Sequence, residues 1–170
     1  MRILGIDPGL DRTGWAVLEK DGPAPPALAA SGLIHTPKNT LLEKRLVSIY
    51  DAFCVLIAEH RPQEVAIEEV FFSKRADTQA NTTHARGAIL LACAKAGIPI
   101  SNYNPKTIKK TVSGSGSAEK RQMQRMVQIT LNLTSIPEPD DVADAMAAAI
   151  CHLRLAPLAK AMAAAKAGAK

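Results

Sequence analysis

Four acidic side chains stand where a fold could bring them together. Asp7 closes an apolar run at residues 2–7, Glu68 lies in a second run at 64–71, and Asp141 and Asp144 open a late helical pattern. Hydrolysis of a phosphodiester by two divalent cations needs such a set, because each ion takes hard oxygen ligands and keeps positions open for phosphate and water. Residues three apart on a helix share a face, so Asp141 and Asp144 can both point at a sheet whose neighbouring strands end in Asp7 and Glu68. Each acid also has a plainer use. Asp7, before Pro8-Gly9, could be a turn acid, and Asp140, Asp141 and Asp144 could serve only as cap and dipole partners of a helix N-terminus. Glu68 resists that reading, because an apolar strand holding Ala66 and Ile67 would bury a carboxylate, which is costly unless it is paired or metal-bound. Glu69 points to the opposite face, solvated or paired with a base.

A second constellation is positive. Lys106, Lys109, Lys110, Lys120, Arg121 and Arg125 fall in one stretch with a single acid, Glu119. Such a run is often only a solvated face. Here the acids follow directly at 138–144, so an anion-binding surface would lie beside the carboxylates. The Gly-Ser run inside it, with Ser115 at its centre, could offer backbone N–H groups as a phosphate cradle at a helix start. Phe71 and Phe72 are consecutive on a strand pattern, so one of them should leave the core, either to stack on bases or to serve a structural or subunit contact. His84 and His152 sit among apolar residues of helical segments and read as satisfied, partly buried histidines.

The elements that must position these residues are read from periodicity. Short strands are expected at 2–7, 13–18 and 30–35, an antiparallel meander broken by Asp7-Pro8-Gly9 and by the Pro/Gly-rich stretch at 21–27. Leu42, Leu46, Ile49, Phe53, Leu56 and Ile57 recur at helical spacing. A strand at 64–71, a helix over 77–96 with a glycine stop at Gly97, and a strand at 98–103 follow. Asn104-Pro105-Lys106-Thr107-Ile108-Lys109-Lys110 follows with no element assigned, then a flexible run at 113–117, and further helices are expected at 118–131 and 140–155. Beyond Pro157 the Ala/Lys composition predicts a frayed tail, giving one domain over 1–156 and a flexible tail over 157–170. The order points to an α/β fold, a mixed sheet with helices on its faces.

At 170 residues the chain can build one sizeable core. Its net charge of +5 fits a polyanion binder but does not require one. Cys54, Cys93 and Cys151 lack metal-ligand spacing and read as small buried hydrophobes of a reducing compartment. No cleavable leader pattern and no run of eighteen apolar residues is seen, so a soluble, cytoplasmic protein is expected.

The chain resembles the RuvC family of Holliday junction resolvases, nucleases of the RNase H-like superfamily. The resemblance rests on Gly5-Ile6-Asp7-Pro8-Gly9 with Thr13-Gly14, Ala66-Ile67-Glu68-Glu69-Val70-Phe71, Ala85-Arg86-Gly87, the stretch from Lys109 to Lys120, and Asp141-Val142-Ala143-Asp144-Ala145. The first motif alone also begins actin-like ATPases and sugar kinases; the ordered set is specific. It implies a five-stranded sheet, three strands antiparallel and then parallel ones, flanked by helices. It also implies a homodimer that cuts a four-way DNA junction symmetrically with Mg2+ or Mn2+, leaving 5′-phosphate and 3′-hydroxyl ends, and that works with RuvA and RuvB. Asp7, Glu68, Asp141 and Asp144 match the catalytic, metal-binding carboxylates, Lys109 and Lys120 match basic residues that handle DNA, and Phe71 matches the aromatic that inserts at the junction. The extra acid Asp140 departs from the pattern. A non-catalytic junction-binding relative on the same fold is the rival reading.

Overall fold

A computed structural model describes residues 1–69 and 76–167. Apolar residues alternate along the first strands and send their side chains to two faces. β1 (Arg2–Asp7) pairs antiparallel with β2 (Arg12–Glu19), with Asp7 opposite Gly14, and β2 pairs antiparallel with β3 (Ala27–His35). After α1 (Leu42–His60), β4 (Glu64–Glu68) lies parallel to β1 on its other side. β5 (Ile100–Tyr103), reached through α2 (Ala76–Lys95), adds parallel to β4. The sheet order is β3-β2-β1-β4-β5, the mixed five-stranded sheet expected. α3 (Pro105–Ser113), α4 (Lys120–Thr130) and α5 (Asp140–Ala167) complete the chain.

One core lies on each side of the sheet. Leu4, Ile6, Val17, Val65 and Ile67 pack under α1 and α2 against Ile49, Phe53 and Ile89. Ile3, Ala16, Leu18 and Ala66 face the other way, under α3, α4 and α5. α5 is the central helix of that second layer. Its segment Asp140–Ala159 is long and apolar enough by composition to cross a membrane, yet Val142, Ala145, Ala148, Ala149 and Ile150 bury against the sheet. A helix lined with alanine can lie unusually close to its neighbour. Glycines on the strands use that closeness: a Cβ on Gly5 would lie 2.1 Å from the Ala145 carbonyl oxygen, and one on Gly14 would lie 2.0 Å from that of Asp141.

Several expectations change. The basic segment after β5, to which periodicity assigns no element, forms a helix, α3. Asn104 caps it by accepting from the Lys106 backbone N–H at 2.9 Å, Pro105 occupies the first turn, and Gly114 ends it at φ 83°. α5 does not stop near Leu155 but runs to Ala167 with Pro157 inside it, since the alanines around the proline are strong helix formers. Cys54 is exposed, because it falls one residue past buried Phe53 and turns out of α1's packed face, whereas Cys93 and Cys151 are buried. His84 is also exposed. His152 is buried and satisfied: its Nε2–H donates to Glu64 Oε2 at 2.8 Å, and its Nδ1 lies 2.8 Å from the Tyr103 hydroxyl.

Candidate active site

Asp7 and Glu68 are the last residues of adjacent parallel strands. Ile6 pairs with Ile67, so the two acids follow side by side. Alternation puts Asp7 on the face of Ile3 and Gly5, and Glu68 on the face of Ala66, which is the face covered by α5. The first turns of α5 bring Asp141 and Asp144 over the same strand ends, because Gly14, directly across from Asp7, lets the helix backbone settle onto β2. The four acids named from the sequence are thus gathered at one end of the sheet. Glu69 lies outside this group and is exposed.

Burial and mutual repulsion, only partly offset by nearby lysines, govern Asp7, Glu68 and Asp144. Burial pushes the Asp7 carboxyl well above the usual range, and the charges of Glu68, Asp144 and Asp141 push it further. Burial, with Asp144, raises Glu68 to about 7. Asp144 is raised by burial and then by Asp141, against the opposing pull of Lys120 and Lys109. Among the described residues no three acids, histidines or cysteines close into a coordination cluster. The donor chemistry nonetheless fits a hard divalent cation: carboxylate oxygens only, recessed from water, and mutually repelling until a positive charge arrives. Helices α3 and α4 supply the positive counterpart. Lys109 projects from α3 close enough to lower Glu68 and Asp144, and Lys120 from the first turn of α4 close enough to lower Asp7 and Asp144. Lys106, Lys110 and Arg121 are exposed on the same two helices.

The Gly-Ser run differs from the free cradle expected. The Ser115 and Ser117 amides donate to Ser113 Oγ at 3.3 Å and Ser115 Oγ at 3.4 Å, and the Ala118 amide to the Ser115 carbonyl at 3.3 Å, so the loop uses these donors to hold its own shape. Phe71 and Phe72 lie outside the described residues.

Sequence reasoning misses Arg12. Its Nη2 lies 2.5 Å from Asp141 Oδ2 and 3.5 Å from Asp140 Oδ1. It borders an open cleft of about 530 Å³ beside Asp141, lined also by Gly9, Asp11, Lys38, Arg45 and Asn81. The floor of that cleft is fixed by Arg45, which is buried, pairs with Asp11, and donates to Thr36 Oγ1 at 2.9 Å and to the Thr36 carbonyl at 3.1 Å. No local signal in the sequence announces these contacts.

A profile of the crossover junction endodeoxyribonuclease RuvC family matches residues 3–152. The chain is 46% identical over 157 residues to the crossover junction endodeoxyribonuclease RuvC of Chloroflexus aggregans, covering 92% of this chain and 95% of that protein. It is 48% identical over 159 residues to that of Halorhodospira halophila, covering 92% and 93%. Among solved structures, Thermus thermophilus RuvC in complex with a Holliday junction substrate superposes with a TM-score of 0.88 at 31% identity, over 94% of this chain and 96% of that one. The yeast mitochondrial Holliday junction resolvase Ydc2, at 12% identity and a TM-score of 0.64 over 90% and 79% of the two chains, shares the fold. The fold is RNase H-like, and the chain belongs to the RuvC family of crossover junction endodeoxyribonucleases.

Proposed function

We propose that this chain resolves four-way DNA junctions by metal-dependent phosphodiester hydrolysis, through Asp7, Glu68, Asp141 and Asp144. The observation that carries this reading is the convergence of four carboxylates from β1, β4 and α5, of which Asp7, Glu68 and Asp144 have raised proton affinity, beside the ammonium groups of Lys109 and Lys120. Two divalent cations, Mg2+ or Mn2+, would supply a water made acidic enough to attack at neutral pH and charge stabilisation for the attacking and departing oxygens. Asp7, central among the acids, would serve both cations, Glu68 and Asp144 would help hold one, and Asp141 would help hold the other. The recessed site keeps the carboxylates poorly solvated, which strengthens their hold on a cation. Lys109 and Lys120 bind the backbone of the strand being cut, with Lys106, Lys110 and Arg121 extending the positive surface along it. Ser115, on the loop between them, would contact the same strand, and Phe71 would meet the unstacked bases at the junction. The products carry 5′-phosphate and 3′-hydroxyl ends that ligase can reseal.

Symmetric cutting asks for two copies of the site. An apolar groove on the outer side of α1 and α2 suits a homodimer: it is lined by Leu46, Val47, Tyr50, Ala88 and Leu91, and Gly87 leaves open space where a Cβ would meet nothing. The dimer would act in the cytoplasm on junctions presented by the branch-migration proteins RuvA and RuvB. The test is incubation of a mobile four-way junction, and of a linear duplex of the same sequence, with the protein in Mg2+, Mn2+ or EDTA. Paired, ligatable nicks confined to the junction and to the metal-containing samples are expected. Tight junction binding with no cleavage in either metal would instead make the chain a binding module.

A further inference from the structure

Asp140 stands between two cations from distant parts of the chain. Its Oδ1 lies 3.5 Å from Arg12 Nη2, at the start of β2, and its Oδ2 takes the ammonium of Lys120, in the first turn of α4. The three side chains are 37%, 43% and 58% exposed, so these ion pairs are solvated ones that add little to stability and are readily exchanged. Asp140 has no need of two cations to be comfortable, since a carboxylate in the first turn of α5 is already favoured by the helix dipole. What the arrangement does achieve is to gather a guanidinium and an ammonium around one pair of anionic oxygens, at the rim of the carboxylate pocket. A phosphodiester presents the same pair of anionic oxygens to the same donors.

We propose that Arg12 and Lys120 form a phosphate subsite for the bound DNA strand, and that Asp140 fills it as an intramolecular stand-in for phosphate in the free protein. This rests on the nuclease reading above. On binding, a backbone phosphate takes the place of the Asp140 carboxylate, which turns to solvent. Arg12 then follows the phosphate away from Asp141, leaving that carboxylate free for a cation. The exchange gives the subsite its geometry before DNA arrives and keeps two cations from adhering to other anions at the mouth of the site.

The experiment is the affinity of the full-length protein for a four-way junction in EDTA, over a series of salt concentrations. Asp140→Asn, which keeps the shape and removes the competing charge, is expected to tighten binding by roughly fivefold or more and to steepen the salt dependence. Glu138→Gln removes the same charge two residues away, in a hollow it lines with Lys120 and Asp140, and should change affinity far less. Arg12→Ala is expected to weaken binding, to flatten the slope of log K against log salt by about 0.9, and to cancel most of the Asp140→Asn gain in the double variant. Arg12→Lys, which keeps the charge, should keep most of the slope. Equal gains from Asp140→Asn and Glu138→Gln would reduce Asp140 to a bulk charge and overturn the proposal. So would an unchanged slope in Arg12→Ala, or a loss in Arg12→Lys equal to that of Arg12→Ala, which would make the fork a pin for α5. Failure of the parent protein to bind junctions at all would overturn the functional reading instead.

Discussion

Gly14 and Asp141 meet backbone to backbone: a Cβ on the glycine would lie 2.0 Å from the aspartate's carbonyl oxygen and 2.3 Å from its carbonyl carbon. Because Gly14 is also the β1–β2 partner of Asp7, this contact sets how closely the acids of α5 approach the acid of β1. Gly14→Ala has no flexible side chain to push aside and must lift the start of α5. A loss of about 1–3 kcal/mol of stability is expected, together with a fall in cleavage much larger than any fall in junction affinity, read by denaturant titration and by cleavage and binding assays. Wild-type cleavage in this variant would show that the glycine does not set the site.

The raised carboxyls make stability depend on pH in a defined direction. Glu68 titrates near 7 in the folded chain and near its ordinary value of 4.5 when unfolded, so between these values the folded state holds a proton that the unfolded state has lost. Stability in EDTA should therefore fall as pH rises through this window, and Asp7 and Asp144 act in the same sense. Glu68→Gln should stabilise the metal-free protein at pH 8 by about 2 kcal/mol and flatten the profile. Millimolar Mg2+ should oppose the loss in the parent chain and do less in the variant. Thermal melts across pH, with and without Mg2+, measure this; a profile equally steep in Glu68→Gln would contradict it.

Lys109 and Lys120 pull down the proton affinity of the acids, and in the proposed reading they also hold phosphate. Lys109→Ala and Lys120→Ala should each flatten the salt dependence of junction binding by about 0.9 in slope. Each should also raise the proton affinity of the neighbouring acids, moving the pH profile of cleavage upward. An unchanged slope would take that lysine off the DNA.

The exposed apolar edge of α1 and α2 carries the dimer expectation. Leu91 is 55% exposed and borders the groove at Gly87, so Leu91→Glu should shift sedimentation toward monomer and convert paired junction cuts into single nicks while each site remains chemically intact. A monomeric parent protein would remove the groove from this role.

Much of the site is legible in the sequence because it depends on short periods. Alternation on β1 and β4 puts Asp7 and Glu68 on one face, and the three-residue spacing of Asp141 and Asp144 does the same on α5. Helix α3 is harder to see, because Pro105 and three lysines resemble a loop unless Asn104 and Gly114 are taken together as its caps. The reach of α5 beyond Pro157 is hidden by a residue that usually ends a helix. Arg12 could not be found from spacing at all, since its partners Asp140 and Asp141 lie at the far end of the chain and only the folding of α5 onto β2 brings them within reach. The self-bonded Gly-Ser loop is likewise a tertiary outcome, decided by which hydroxyls its amides find.

The most direct test is Asp7→Asn compared with the parent protein on a mobile four-way junction, scoring Mg2+-dependent cleavage and EDTA-state binding on the same preparations. Asparagine keeps the shape at the end of β1 while removing the charge at the centre of the carboxylate group. Loss of cleavage by three orders of magnitude or more (on the order of 4 kcal/mol in transition-state terms), with junction affinity equal to or tighter than the parent's, is the expected result. Cleavage within a few-fold of the parent would contradict the assignment of the reaction to this site.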